Sequence, residues 1–253
     1  MTLRAASSNL LLCFAISVGI GFTNAAHAGP AENIYTPIID YREWELELKG
    51  GVQDWGNRDR GENAYKVAFG YGIASRWSSE VSVEYTRTPG TDARVEELEW
   101  ENIIQLTEHG EHWLDAGIFT ELAYNRLAHR SSLSIGPMFQ QESGRAQTNL
   151  NLLWTRQLGT LTEGGSGLRN EISYAAQWKW NLHPAFQPGV QAFGSLGDAA
   201  HLHSQELKIG PAFFGKTSLG NGKALKYNAA LLGGLTRETP NTTLRFQLEY
   251  EFF

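Results

Sequence analysis

The stretch Leu244-Arg245-Phe246-Gln247-Leu248-Glu249-Tyr250-Glu251-Phe252-Phe253 decides the fold. In an extended chain successive side chains point to opposite sides. Leu244, Phe246, Leu248, Tyr250 and Phe252 therefore share one face, and Arg245, Gln247, Glu249 and Glu251 share the other. Such a strand needs an apolar medium on one side and a polar one on the other.

The same period-2 alternation runs through the chain from residue 41 onward, in segments of about ten residues separated by turn formers. Trp44, Leu46 and Leu48 alternate with Glu43, Glu45, Glu47 and Lys49. Val81, Val83 and Tyr85 alternate with Glu80 and Glu84, and Leu98 and Trp100 with Glu97, Glu99 and Glu101. Further runs start near residues 65, 114, 133, 150, 172, 186, 207 and 225, which with the last one makes twelve strands, an even number. The expectation is an all-β fold, an antiparallel up-and-down transmembrane β-barrel of about twelve strands, since a tilted membrane strand needs about 9–11 residues.

A soluble sandwich would also alternate, but it would turn its apolar face inward and cover its outside with charge. Here aromatics (Trp44, Trp77, Tyr85, Trp154, Trp180, Tyr250 and Phe252) cluster at strand ends, as in the girdles that sit at the two membrane interfaces. Short connections near 74–77, 107–111, 143–146 and 181–184 alternate with longer ones near 53–63, 156–167 and 194–203, and 215–222 is longer than that rule expects. Two Ile-Gly-Pro segments, at 135–137 and 209–211, lie within strands. Proline cannot donate to a ladder, so each is expected to mark a bulge or bend.

The first 28 residues read as a secretory signal: Arg4, an apolar stretch from Leu10 to Phe22, and the small-residue site Ala26-His27-Ala28. Domain boundaries follow as signal peptide 1–28, a periplasmic segment 29–40 and a barrel 41–253. The chain's one cysteine, Cys13, lies in the signal, so thiol chemistry and cysteine metal sites are excluded from the remainder. The net charge of -6 gives no electrostatic footprint for nucleic acid.

If the apolar face meets lipid, the polar face lines the lumen. Glu43, Glu45, Glu47, Glu80, Glu84, Glu97, Glu99, Glu101, Glu249 and Glu251 then form an acidic wall on the early strands and the strand that closes against them. Two readings compete. A wall of one sign suits a passive, cation-preferring channel for small solutes. Alternatively, the lumen is packed with acid–base networks and conducts little. No cofactor or metal is expected. His109, His112, His201 and His203 read as solvated turn residues. A lipid-acting rim enzyme would need a histidine on a lipid-facing strand position, and none is there, so no catalytic residue is assigned.

The terminal stretch resembles the β-signal of bacterial outer-membrane proteins, with Phe246, Leu248, Tyr250 and Phe252 in phase and Phe253 one residue beyond. The resemblance implies recognition by the barrel-assembly machinery and residence in a Gram-negative outer membrane, in contact with its lipid and lipopolysaccharide. Together with the Ile-Gly-Pro strands and the Tyr-rich strand–turn repeats, it is similar to a family of small proteobacterial barrel transporters, the MetA-pathway-of-phenol-degradation proteins. That resemblance implies passage of small solutes, aromatic ones among them, and carries no residue-level site.

Overall fold

Each alternating run forms one strand. The computed structural model describes residues 29–54, 56, 61–159, 170–200, 202 and 205–253. The expected signal peptide, and His201 and His203, lie outside the described residues. The strands are β1 (Trp44–Asp54), β2 (Glu62–Ala74), β3 (Trp77–Arg87), β4 (Arg94–Gln105), β5 (Asp115–Asn125), β6 (Arg130–Ser143), β7 (Ala146–Leu158), β8 (Asn170–Trp180), β9 (Gln187–Asp198), β10 (Glu206–Gly220), β11 (Lys223–Gly234) and β12 (Thr242–Phe252). Each pairs antiparallel with its sequence neighbours, and β1 pairs with β12 from Trp44↔Phe252 to Asp54↔Thr242, closing the barrel. Closure leaves no unpaired strand edge, which a bilayer would not tolerate.

The polarity is inverted relative to a soluble protein. Val81 is 56% exposed and Trp100 49%, whereas Glu101 is 3% exposed and Lys49 0%. An apolar belt facing out and ionisable groups facing in place this barrel in the outer membrane. Polar groups on the outer face are tied down: the Trp77 indole donates to Asn102 Oδ1 at 3.1 Å and that of Trp100 to Ser79 Oγ at 2.8 Å. Tyr250 stacks on Phe252 at 5.4 Å, and Trp44 on Phe69 at 5.1 Å.

The two ends differ. Tight turns at 75–76, 144–145 and 221–222 lie at the end where β12 finishes, with longer connections at 106–114 and 181–186. This is the periplasmic end by the usual asymmetry. The segment 215–222, expected to be a long connection, is strand as far as Gly220, and 106–114 is longer than expected. At Gly136-Pro137 and Gly210-Pro211 the pairing to β7 and β11 is interrupted, but the register continues unshifted, so neither is a bulge. The glycines let the chains close up there: a Cβ on Gly136 would stand 1.8 Å from the Leu152 carbonyl oxygen, and one on Gly210 2.0 Å from that of Leu231. A register shift occurs instead between Glu84 and Tyr85. It leaves Glu96 without a partner on β3, while Glu97 stays in register opposite Glu84.

Candidate functional site

The lumen is the candidate site, and strand register organises its charges. One ladder row crosses six strands: Glu251↔Glu45, Glu45↔Gly70, Gly70↔Glu80, Glu80↔Glu101 and Glu101↔Glu121. Five carboxylates thus wind around half the wall. Gly70 makes the room, because a Cβ there would meet Glu80 Oε2 at 3.3 Å and Glu45 Oε2 at 3.4 Å. The next row holds Glu249, Glu47, Ala68, Ser82 and Glu99, and the third holds Gln247, Lys49, Lys66, Glu84 and Glu97.

The cations compensate the rows unequally. Lys66 pairs with Glu99 and stands 3.6 Å from Glu84, and Ser82 donates to Glu99 at 2.7 Å. Lys49 pairs with Glu47 at 2.6 Å, and Gln247 donates to Glu47. Lys226 bridges Glu249 at 2.9 Å and Glu251, and Lys216 reaches Glu251 at 2.7 Å. Among the described residues Glu43, Glu45, Glu80, Glu97 and Glu101 make no ion pair. Like charges placed directly opposite one another are unfavourable, so the first row is an arrangement that fold stability alone does not explain.

The acids face a wall of amides. Asn149 donates to Gln140 at 2.8 Å and accepts from Gln177 at 3.1 Å, while Arg245 donates to Gln191 at 2.8 Å. The residues read from the sequence as a β-signal take no part in the lumen. Phe246, Leu248, Tyr250 and Phe252 lie on the outer face of β12, and Phe253 lies beyond its last residue, 66% exposed.

Residues 29–40, set apart as periplasmic on sequence, run along the inside of the barrel. At the periplasmic mouth Arg42 N–H donates to Gly72 O at 2.9 Å. Gly72 is required there, since its Cβ would stand 2.2 Å from the Asp40 carbonyl oxygen. Going inward, Ile39 N–H donates to Gln105 Oε1 at 3.1 Å and Thr36 Oγ1 to Gln140 Oε1 at 2.8 Å. Asn151 clasps Tyr35 from both sides, accepting from its N–H at 2.7 Å and donating to its carbonyl at 3.0 Å. Ile34 packs on an apolar cluster of Phe193, Ala212, Phe214, Ala230 and Leu232. Near the outer end Lys208 reaches Glu32 at 3.2 Å and the Gly29 carbonyl at 3.3 Å, and Arg245 donates to the Glu32 carbonyl.

Sequence reading missed this strap and the residues that hold it. Phe119, Met138, Phe193 and Phe214 lie in phase with the polar faces of their strands and are buried in the lumen. Large apolar residues on the inward parity were the available signal. Burial pushes the Tyr35 hydroxyl well above its usual 10.0, with Glu101 and Glu121 adding to it. It also raises the Glu32 carboxyl above 4.5, against the opposing charges of Lys208 and Arg245.

Between strap and wall lies a cavity of about 410 Å³. Its ionisable lining is Asp40, Glu45, Glu47, Glu80, Glu101 and Glu249 against Lys179, Lys216 and Lys226. Acids therefore outnumber bases, and Gln140, Gln147, Asn149 and Gln177 supply neutral donors and acceptors.

No family model and no curated protein matches this chain. Its fold resembles solved outer-membrane barrels. An outer membrane channel from Pseudomonas putida F1 superposes with a TM-score of 0.57 at 11% identity, covering 87% of this chain and 97% of that one. The NanC porin gives 0.53 at 10% identity, covering 82% and 99%. The beta domain of the Bordetella autotransporter BrkA gives 0.55 at 12% identity, covering 84% and 98%. At these identities the likeness is one of fold.

Proposed function

We propose that this protein is a passive outer-membrane channel for small solutes that prefers cations, with residues 29–40 narrowing the passage. The observation that carries the reading is the carboxylate row through Glu45, Glu80 and Glu101, which faces the cavity without ion-pair partners. Fixed charges of one sign in a confined low-dielectric space raise the local concentration of counter-ions. The amide wall opposite offers hydrogen bonds to replace a solute's lost hydration. A porin and an outer-membrane channel among the structural neighbours support passage as the role, and transport of the MetA-pathway kind belongs to the same reading.

The strap favours a second reading, in which the filled lumen conducts little and the barrel is a surface structure. Reversal potentials across a planar bilayer under a KCl gradient separate them. The channel reading expects a cation-selective current whose selectivity falls when Glu45, Glu80 and Glu101 are replaced together by Gln. A silent bilayer favours the filled barrel, and anion selectivity contradicts the channel reading's charge argument.

A further inference from the structure

The periplasmic mouth holds a cluster of acids that ion permeation does not need. The carboxylate oxygens of Asp40, Glu43 and Glu251 lie within 4.8 Å of one another. Asp40 belongs to the lumen strap, Glu43 precedes β1, and Glu251 is on β12. Glu43 is 4% exposed, and its Oε1 is buried without a hydrogen-bond partner. A buried carboxylate oxygen without a partner, on a residue grouped with two other carboxylates, is costly unless something positive meets it.

Charge bookkeeping at the mouth leaves room for that something. Glu45 and Glu249 adjoin the cluster, sharing Glu251 with it. Against these five acids stand Lys216 and Lys226, both committed to Glu251, with Lys226 also on Glu249. Arg42 turns away and lies over the Tyr41 ring at 5.0 Å. Two lysines do not neutralise five carboxylates, and neither reaches Glu43.

We propose that Asp40, Glu43 and Glu251 bind a divalent cation of the calcium type, which clips the base of the strap to the barrel mouth. Oxygens up to 4.8 Å apart match the diameter of a shell about 2.4 Å from a Ca²⁺ ion. The ligands are all hard oxygens, which excludes soft-metal chemistry. Mg²⁺ demands a tighter octahedron and gives up its water reluctantly, so Ca²⁺ fits better. The site does not depend on whether the lumen conducts.

The test is terbium luminescence of the full chain refolded in detergent micelles, with Tyr41 and Trp44 adjacent as sensitisers. The expected result is a saturable Tb³⁺ signal displaced by Ca²⁺ more readily than by Mg²⁺. Glu43→Gln should weaken it about tenfold or more. Asp40→Asn, at an exposed position that leaves the barrel wall intact, should weaken it as well, whereas Glu97→Gln should leave it unchanged. Absence of a saturable signal, or binding of equal strength in the Asp40→Asn and Glu43→Gln chains, overturns the proposal.

Discussion

Tyr35 stacks on Phe119, ring centroids 4.1 Å apart at 27°. One residue comes from the strap and the other from the inner face of β5, where charge or amide is the rule. The contact shows that the lumen is shaped to receive this segment.

The strap should be releasable by removing its anchors. A stacked aromatic pair contributes about 0.5–1.5 kcal/mol beyond its buried area, and each hydrogen bond to Asn151 about as much. Tyr35→Ala combined with Asn151→Ala is expected to free the segment without unfolding the barrel. Limited proteolysis of folded protein should then cleave within residues 29–40, while wild type stays resistant.

Seating should also depend on pH. Burial raises the Glu32 carboxyl above its ordinary 4.5, so the seated strap favours the protonated form. Lys208 and Arg245 oppose the rise and Glu206 adds to it. Seating is strongest below the ordinary carboxylate range and weakens as pH climbs through the raised value. A nitroxide placed by Asn33→Cys should grow more mobile as pH is raised above the ordinary carboxylate range. Glu32→Gln should flatten that change.

Lys66 holds the acidic wall together through Glu99 and Glu84. Breaking a buried pair by removing one partner costs about 3–5 kcal/mol, because the other charge is stranded. Lys66→Met should lower unfolding stability in urea by that order. Adding Glu99→Gln to it should recover part of the loss.

The Gly-Pro strands predict a sharp contrast between glycines. Gly136→Ala forces a methyl into the Leu152 carbonyl and should cost at least about 1–3 kcal/mol. Gly233→Ala meets only the Ile209 oxygen, at 4.0 Å, and should be nearly neutral. Heat-modifiable gel migration of the two refolded variants reads the difference.

The strands and their faces were legible because period 2 is a local property: Leu46 or Glu47 declares its side without knowing its neighbour. Register is not local. That Glu80 stands opposite Glu101, and Glu45 one glycine away, depends on pairings between distant segments, so the acids could be counted but not arranged into rows. The Glu84/Tyr85 register shift likewise hid Glu96, which receives hydrogen bonds from Thr86 and Asn125. The strap has no periodicity. Its only advance sign was apolar content, Ile34 to Ile39, in a segment with no strand to cover it.

Single-channel conductance of wild type against a chain lacking residues 29–40 tests the account most directly. In symmetric KCl the account predicts a small current for wild type and a clearly larger one for the deletion, both cation-selective. Equal conductance in the two proteins, or none from a folded deletion variant, would contradict it.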